Sequence, residues 1–505
     1  MLIVMTLASG GPAWARAPEA DLQAGAPVLS FALPERQATL GAVYRSALDN
    51  LLQVNTVPVP RGKGAAYNQT GLLSRRPGTF FRAGGGYHQP WTRDASINSW
   101  SAGSLLAPEA ARQTLWSVVR RQSNGKLIVQ QDNQWWDQTI WVVAAWNHFL
   151  VTGDRKFLTQ AYGAAQQTLE RDRELHFNQE HGLFQGAAFL NDGIAGYPAP
   201  PADDTESLGS FVLTYPGATQ LMVLSTNCIY VGAYRAAAAM AEELHRPAGE
   251  GAFFTASADT LVSRIRQEFW LPGKGRFGYL LEPDGTLDPS QEGAGSAFSV
   301  LFDVAAPEQA SSILRVVEEQ PYGLPDVWPT FPRYHAAQPG RHNNIVWPAI
   351  EGLWAEAAAQ QKNETVFAHE VETLAGLAAR DRNHFWEIYD GNRGLPSGGW
   401  QTRHLWYSEP NQTWSATAYL RMMYAGLFGM RFGVDGLHFA PLLPAGWGDV
   451  SLHGLHYRAA FLNVQLRGAG AVVKTTKVDG VLQAEPKIAA GLRGTHTIEL
   501  EMGTA

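Results

Sequence analysis

The sequence is poor in the residues that build disulfides and metal sites. Among 505 residues it has a single cysteine, Cys228, so no intramolecular disulfide and no Cys-based metal site can form. It also lacks a His-x-x-x-His pair or a His/Asp cluster at metal-ligand spacing, so we expect no catalytic metal and no cofactor. Charged residues make up only 17% of the chain, the net charge is −7, and Lys and Arg do not cluster. Nucleic acid and anionic membrane surfaces are therefore poor candidates for partners.

Long hydrophobic runs are also missing. No segment is apolar for long enough to span a bilayer. Residues 1–17, MLIVMTLASGGPAWARA, combine a short apolar run with an Ala-x-Ala ending, a pattern typical of a secretory signal peptide whose basic start is absent. We therefore expect a signal peptide at residues 1–17 and a periplasmic or secreted location. The oligomeric state stays open.

Apolar and aromatic residues are plentiful. Hydrophobic residues make up 45% of the chain, with 17 Trp and 16 Tyr, which describes a folded protein and weakly favours a pocket for a flat or sugar-like ligand. A chain of this length is too long for one ordinary core unless many repeated elements build that core. Apolar positions spaced three and four apart indeed predict about twelve helices. They cover residues 40–54, 95–106, 108–122, 134–152, 155–174, 218–244, 257–269, 296–302, 307–318, 344–360, 365–383 and 412–428.

The connections between these helices alternate in length. Some are one or two residues long, whereas residues 57–93, 176–216, 319–343 and 384–411 form long loops, which usually carry function. This alternation suits antiparallel helical hairpins in a ring, with the long loops on one face. From residue 435 onward, alternating strands predict a small β domain, which the strand-like residues 27–34 could join. We divide the chain into residues 1–17 (signal peptide), 18–38 (N-terminal strand segment), 39–434 (helical catalytic domain) and 435–505 (C-terminal β domain).

The stretch from residue 384 to 429 places two carboxylates, Glu387 and Glu409, among aromatic residues. Stacking rings and acids in an apolar setting are what a sugar-cleaving pocket needs. The alternative is that the aromatics are core and the acids cap a helix. The aromatics concerned are Trp386, Tyr389, Trp400, Trp406 and Trp414.

A second stretch, YHQPWTRDASINSW (residues 87–100), ends a long loop and opens a helix. Trp91 offers a stacking face, and Arg93 with Asp94 offers donors and acceptors for neighbouring hydroxyls. An Asp N-cap with a structural Arg–Asp pair is the alternative. The Trp-Thr-Arg-Asp motif resembles the glucoamylase-type glycoside hydrolases of family 15. That resemblance implies an (α/α)6 toroid in which Trp91, Arg93 and Asp94 line the pocket for the terminal sugar.

Three further stretches resemble six-hairpin glycosidases. DQTIWVVAAWNHFLVTGD (residues 137–154) and RHNNIVWPAIEGLW (residues 341–354) are similar to helices of the debranching-enzyme and family 63 glucosidase groups. Residues 412–447 resemble the last helix and β-domain entry of families 65, 78 and 94. The resemblance runs in patches over residues 85–450 and implies that Trp136, Asp137 and Trp347 lie in the pocket. For Asp137, a buried residue that caps or crosslinks helices is an open alternative.

In this fold the general acid and the general base come from the loops after the fifth and eleventh helices, by our count residues 176–216 and 384–411. The first loop places Asp192 between apolar and Gly-rich flanks, which favours a raised pKa, so we assign Asp192 as general acid. Its rivals in a polar run, which looks more like a solvated turn, are Asp203, Asp204 and Glu206.

In the second loop we assign Glu387 as general base, since FWEIYDGNRG is similar to the base segment of families 15 and 63. Glu409 is the alternative base or a sugar-binding residue, and it could also simply cap the last helix. His148 and His342 are expected to be surface or satisfied helix histidines rather than ligands. The Glu318–Glu319 doublet is expected to be a solvated helix face.

The sequence as a whole predicts an inverting, exo-acting glycosidase that acts on an oligosaccharide or glycoside, with α-linked glucose as the first candidate sugar. Trp400, Trp406 and Trp414 would exclude water from the pocket. Three alternatives stay open. They are a disaccharide phosphorylase on the same toroid, a polysaccharide lyase, and a non-catalytic sugar-binding protein.

Overall fold

A computed structural model describes residues 25–58, 78–129, 134–198, 211–401 and 403–504, and helices account for 45% of it. The expected signal peptide and the rival acids Asp203, Asp204 and Glu206 lie outside the described residues. Within the described ranges, no helix has the length and apolar character needed to cross a membrane.

Twelve helices of seven or more residues occur within the described ranges. Three of them are lengthened by π-helical turns at Gln37–Gly41, Asn50–Val54, Ser99–Gly103 and Met422–Leu427. The twelve are α1 (Ala42–Asp49), α2 (Thr92–Asn98), α3 (Pro108–Ser117), α4 (Ile140–Thr152), α5 (Arg155–His176), α6 (Leu224–Glu243), α7 (Ala248–Phe269), α8 (Gly293–Leu301), α9 (Pro307–Val316), α10 (Pro348–Gln360), α11 (Glu364–Arg380) and α12 (Thr413–Arg421).

Local signals explain where these helices begin and end. Proline occupies the first position of α3, α9 and α10, where its missing N–H costs nothing. Gly153 ends α4 in the left-handed region at φ 72°, and the side chain of Asp154 then accepts a hydrogen bond from the Phe157 N–H to cap α5. The Thr-Gly-Asp sequence is therefore a tight link between two antiparallel helices.

The helix expected over residues 257–269 begins nine residues earlier, at Ala248, and two other predicted helices are shortened in the structure. The helix expected over residues 108–122 ends at Ser117, because Val119–Arg121 pairs instead with the strand Leu127–Val129. The helix expected over residues 218–244 begins only at Leu224, since residues Met222–Val223 pair with Leu280–Leu281. In both cases a strand pair overrides local helical periodicity.

The even-numbered helices pack in a closed cycle. Each of α2, α4, α6, α8 and α10 contacts the next even-numbered helix, and α12 packs back against α2. They are buried almost all round; all nine residues of α12 are buried, for example. Each odd-numbered helix packs beside an even-numbered one, and the long helix α7 buries a single stripe, with 6 of its 22 residues buried. The chain thus has an inner and an outer set of helices.

The C-terminal part of the chain is a β structure that includes the N-terminal strand, β1 (Val28–Phe31). A six-stranded sheet has the order β1-β4-β5-β9-β6-β7, and a three-stranded sheet has the order β2-β3-β8. Only β5 and β9 are parallel neighbours. As predicted, residues 27–34 join this sheet, because β1 pairs with β4 in the register Val28 to His453. The strands are β2 (Met430–Gly433), β3 (Gly436–Phe439), β4 (Val450–Tyr457), β5 (Ala459–Arg467), β6 (Val472–Val478), β7 (Val481–Gln483), β8 (Lys487–Ala489) and β9 (Arg493–Gly503).

Short strands also stabilise the loops between helices. Two of these pairs flank the segments that carry chemistry, namely Gln291–Glu292 with Val327–Trp328, and Trp400–Gln401 with His404–Leu405. The remaining pairs are Thr56–Pro58 with Thr79–Phe81, Phe177–Asn178 with Leu183–Phe184, Trp270–Leu271 with Arg276–Phe277, and Leu280–Leu281 with Leu287–Asp288.

Candidate active site

A cavity of about 350 Å³ opens at the N-terminal ends of α2, α4, α10 and α12, where several long loops meet. Its size and mixed polar and aromatic lining are typical of a small-molecule site. Of the nine predicted substrate-binding residues, six line it, and both predicted catalytic residues do so too. The lining residues are Tyr87, Trp91, Thr92, Arg93, Asp94, Gln134, Asp137, Asp192, Phe211, Arg341, Trp347, Glu387, Gln412 and Trp414.

Arg93 is the electrostatic centre of one wall. Its Nη1 donates to Oδ2 of Asp137 at 2.7 Å, and its Nη2 lies 3.6 Å from Oδ2 of Asp192. Its Nε lies 3.9 Å from Oδ2 of Asp94, and the guanidinium sits 5.5 Å from the centroid of the Trp414 ring. One cation from the start of α2 thereby holds three carboxyl groups that come from separate parts of the chain.

Two of these carboxyl groups are buried strongly enough to hold protons near neutral pH. Burial raises the pKa of Asp94 to about 7, against the pull of Arg93 and with a further push from the charge of Glu387. Burial also raises the pKa of Asp137 to about 6, again against the effect of Arg93. Asp94 is only 2% exposed, and the burial of a carboxyl group costs folding free energy. A carboxyl group that is kept at this cost is a candidate for a functional role.

Asp192 differs from its neighbours, and the expectation of a raised pKa was wrong. Burial works to raise the pKa of Asp192, but contact with His342 and the charge of Arg93 outweigh it and hold this pKa below its ordinary value. The Nε2 of His342 lies 3.4 Å from Oδ1 of Asp192. Burial is the largest single effect on this pKa, and only the combined effects of His342, Arg93 and Arg341 outweigh it.

His342 is neither a surface residue nor a helix residue, contrary to the expectation from the sequence. It is fully buried, stacks 5.0 Å from Trp347 with 12° between the rings, and places its Nδ1 3.9 Å from Oδ2 of buried Asp326. Burial lowers the pKa of His342 to about 4, with partial opposition from Asp192. A neutral imidazole therefore lies between two carboxyl groups. His148, in contrast, is a satisfied core histidine, with Nδ1 3.0 Å from the Ser104 hydroxyl.

Glu387 also lines the cavity. The Tyr87 hydroxyl donates to Oε1 of Glu387 at 2.9 Å, and Nη2 of Arg341 lies 3.2 Å from Oε2. The Glu387 N–H donates to the backbone carbonyl of Glu409 at 2.8 Å, which fixes the backbone of the loop. Two polar contacts on one carboxylate fix its orientation.

Aromatic rings close the cavity. Trp347 and Trp414 meet edge to face at 5.6 Å, and Trp91 adopts a positive φ of 33° at the start of α2. A bulky residue at positive φ is strained, and such strain concentrates at functional sites. Several buried polar atoms around the cavity also have no hydrogen-bond partner within the described part of the chain. They are Nε of Arg93, Oδ1 of Asp137, Oε1 of Gln412 and Nε1 of Trp414. These atoms are positioned to bind ligand hydroxyls.

Three predicted substrate-binding residues lie outside the cavity lining. Trp136 is fully buried in a small core cluster and contacts Trp135 edge to face. Trp400 is half-buried, and its backbone pairs with Pro339 and Arg341. Glu409 packs against Gly86, and burial followed by the charge of Glu387 raises its pKa.

Other cavity residues were not singled out from the sequence. Tyr87 and Arg341 are the first residues of two stretches quoted above, so those stretches already included them. Phe211 and Gln134 border segments without any chemical signature, and Gln412 looks like an ordinary helix-start residue. Only the fold brings these side chains to one cavity.

Comparison with known families places this cavity in context. A family model described as "Mannosylglycerate hydrolase MGH1-like glycoside hydrolase domain" matches residues 87–415, which span all the lining residues. A second, "Glycosyl hydrolase family 65, C-terminal domain", matches residues 430–484, within the β structure. No curated protein matches the chain at a significant level.

Solved structures share the fold at low sequence identity. A GH63 mannosylglycerate hydrolase from Thermus thermophilus in complex with glucose superposes with a TM-score of 0.53 and 14% identity, over 75% of this chain and 99% of that one. A GH78 family rhamnosidase from a Bacillus species gives a TM-score of 0.58 and 14% identity, over 95% of this chain and 44% of that one. A structure named sialidase superposes with a TM-score of 0.63 and 15% sequence identity, over 86% of this chain and 37% of that one. The chain thus spans less than half the length of the last two proteins.

Proposed function

The chain belongs to the mannosylglycerate hydrolase MGH1-like glycoside hydrolase family, and from that premise we propose that it is an inverting, exo-acting glycosidase that removes a terminal sugar. Membership implies a glycoside or oligosaccharide substrate. The observation that carries the proposal is the meeting of Asp192 and Glu387 across one small cavity that is walled by Trp and Arg side chains.

We propose that the helical part is an (α/α)6 toroid. The closed cycle of contacts among α2, α4, α6, α8, α10 and α12, with the odd-numbered helices packed beside them, supports this arrangement. Such a ring places the N-terminal ends of its inner helices around one axis, which is where the cavity lies. We keep the division into residues 39–434 and 435–505, with a signal peptide at residues 1–17 and a periplasmic or secreted location, as proposals.

In the proposed mechanism, Glu387 is the general base. Tyr87 and Arg341 both donate to its carboxylate, so it is held in one orientation to take a proton from water. Asp192, on the opposite side, is the general acid that protonates the glycosidic oxygen. In an inverting enzyme the acid and the base stand far enough apart for a water molecule to lie between the base and the sugar.

An acid role for Asp192 requires that its carboxyl takes up a proton when the substrate is bound. In the ligand-free site, His342 and Arg93 favour the carboxylate. A bound sugar would exclude water and place a neutral oxygen against the carboxyl group, and both effects favour the protonated form. The other residues on this wall, Asp94 and Asp137, would accept hydrogen bonds from sugar hydroxyls.

The substrate proposal is a terminal α-linked glucose, with mannosylglycerate as the second compound to assay. Four carboxyl groups in the cavity face two guanidinium groups, Arg93 and Arg341, and each guanidinium already contacts a carboxylate. This charge balance favours a neutral sugar over an anionic one. Trp91, Trp347 and Trp414 would stack against the C–H faces of the ring.

The test is sugar release from α- and β-linked disaccharides, p-nitrophenyl glycosides and mannosylglycerate, with NMR of the anomer first formed. We expect inverted product from the wild type and a loss of several orders of magnitude in kcat for Asp192→Asn and Glu387→Gln. Glycosyl fluorides separate the two roles, since fluoride needs no protonation to leave. They should restore turnover to Asp192→Asn and not to Glu387→Gln.

Each other outcome has a definite meaning. Loss of turnover in Glu409→Gln, with retained activity in Glu387→Gln, would transfer the base role to Glu409. Retained configuration in the product would refute the inverting mechanism. Sugar binding without turnover on any substrate, with or without phosphate, would refute the enzyme proposal itself.

A further inference from the structure

A second cluster of ionisable groups lies outside the sugar cavity, where the segment after α9 meets α10 and α11. Glu319 follows α9, Glu351 lies in the first turn of α10, and His369 and Glu370 are neighbours on α11. Glu319 is half-buried and not part of a helix, so the expectation of a solvated helix face was wrong. One side-chain ligand atom from each of Glu319, His369 and Glu370 lies within 4.8 Å of the others.

The cluster carries charge without compensation. Glu351 and Glu370 are both fully buried, and none of their four carboxyl oxygens receives an N–H or O–H hydrogen bond from the described part of the chain. No Lys or Arg within the described ranges forms an ion pair with Glu319, Glu351 or Glu370. A buried carboxylate without a partner costs several kcal/mol, so something must neutralise this group.

Protons are one way to neutralise it. Burial raises the pKa of Glu351 and Glu370 well above the ordinary value, and the two carboxyl groups face each other closely enough to share a proton. Proton sharing, however, involves only these two residues. It gives no reason for Glu319 and His369 to converge on the same point from two different segments.

A bound cation accounts for all four residues. Ligand atoms that surround one ion at roughly 2.0–2.4 Å lie at most about twice that distance apart, which agrees with the 4.8 Å limit. The indole N–H of Trp354 donates to Oε1 of Glu319 at 2.8 Å, as an outer partner that orients a ligand would. Glu319 and His369 are both partly exposed, so an ion has a route from solvent.

We propose that Glu319, His369 and Glu370 bind one divalent cation, and that Glu351 packs behind Glu370 as its carboxyl partner. The mixture of carboxylate oxygens with one imidazole nitrogen favours Zn²⁺ or Mn²⁺ over Ca²⁺, which prefers oxygen ligands alone. No spacing in the sequence indicates such a site, because its ligands come from segments about 50 residues apart, positions 319 and 369.

The position of the cluster indicates a structural role. Next to Glu319, the Gln320 backbone pairs with Gly323, and the Tyr322 N–H donates to the carbonyl of Gly391 at 3.0 Å. Gly391 belongs to the loop that carries Glu387. A cation at this site would therefore tie the end of α9 and helix α11 to the base of that loop.

The test uses the full chain, freed of metal by dialysis against a chelator and then titrated calorimetrically with ZnCl₂, MnCl₂ or CaCl₂. We expect one equivalent of Zn²⁺ or Mn²⁺ to bind, Ca²⁺ to bind more weakly, and Tm to rise with Zn²⁺ or Mn²⁺ concentration. Glu319→Gln and His369→Ala should each weaken binding roughly tenfold or more. Both positions are partly exposed, so these variants should fold, which circular dichroism would verify.

Glu242→Gln and His245→Ala are the matched controls. Glu242 is an exposed residue in the last turn of α6, and His245 is an exposed residue just after this helix. They should leave binding unchanged. Absence of binding to the wild type, or equal binding by the wild type and the two ligand variants, would overturn the proposal. A Tm that depends on pH but not on metal would also overturn it, in favour of shared protons. None of these readouts uses sugar turnover, so they are independent of the proposed glycosidase activity.

Discussion

Replacement of Asp94 by asparagine should stabilise the protein at alkaline pH while it impairs function. Asp94 lies 2% exposed beside Arg93, and burial raises its pKa from an ordinary 3.8 to about 7. A carboxyl group whose pKa is higher in the folded state binds its proton more tightly there. The unfolding free energy therefore falls as the pH rises from about 4 to about 7, and the full cost is present above pH 7.

The size of this cost follows from the same values. The difference between about 7 and 3.8 is about 3, and each pKa unit corresponds to ~1.4 kcal/mol, so ionised Asp94 costs the folded state on the order of 4 kcal/mol. Asparagine has nearly the same shape and no charge to desolvate. Asp94→Asn should therefore match the wild type near pH 4 and exceed its unfolding free energy by several kcal/mol near pH 8.

The measurement is urea or thermal unfolding of the two proteins at both pH values, with Asp259→Asn on the exposed face of α7 as control. The control should not change stability at either pH. Asp94→Asn should also lower kcat/KM roughly 10- to 100-fold, the value of a hydrogen bond to a charged group. A variant that is less stable than the wild type near pH 8, or a stability difference that is equal at both pH values, would refute the reasoning.

Two further substitutions test the walls of the cavity. Tyr87→Phe removes the 2.9 Å hydrogen bond to Glu387 and should lower kcat/KM by roughly tenfold or more. The control is Tyr162→Phe, which loses a 2.6 Å hydrogen bond to Glu250 away from the cavity and should leave kcat/KM unchanged. An unchanged kcat/KM in Tyr87→Phe would contradict the role of this hydroxyl. His342→Leu removes a group that lowers the pKa of Asp192, so the high-pH limit of kcat, where the acid loses its proton, should move to higher pH in a pH–rate profile. A shift to lower pH, or none, would show that His342 does not set the charge of the acid.

Much of the helical architecture could be predicted from the sequence because it rests on local signals. Apolar periodicity, first-turn prolines and the Thr-Gly-Asp link mark most helices within a few residues, as in α4 and α5. The cavity walls were also partly predictable, since Trp91, Arg93 and Asp94 stand together at one helix start. Two predicted helices are shorter in the structure because part of each segment pairs as a strand, as at Val119–Arg121.

Electrostatics could not be predicted from neighbours in the chain. The apolar flanks of Asp192 suggested a raised pKa, but the charge of this carboxyl is set by Arg93 and His342, which lie far from it in sequence. The Gly84–Gly86 run is another case, because it lies where two segments that are distant in sequence approach closely. A Cβ at Gly85 would lie 2.8 Å from the Pro410 carbonyl oxygen.

The pairing of β1 with β4 brings residues from the two ends of the chain into one register, Val28 opposite His453. Nearly the whole polypeptide lies between these partners, so the sheet cannot be completed during synthesis until the C-terminal strands have left the ribosome. Until these strands pair, the edge of β1 that faces β4 in the folded sheet is open to strands of other molecules. A shortened chain that begins after Phe31 would leave β4 as a permanent free edge and invite edge-to-edge association between copies. We therefore expect that a recombinant form that keeps β1, a short strand at the sheet edge, will associate less than one that lacks it.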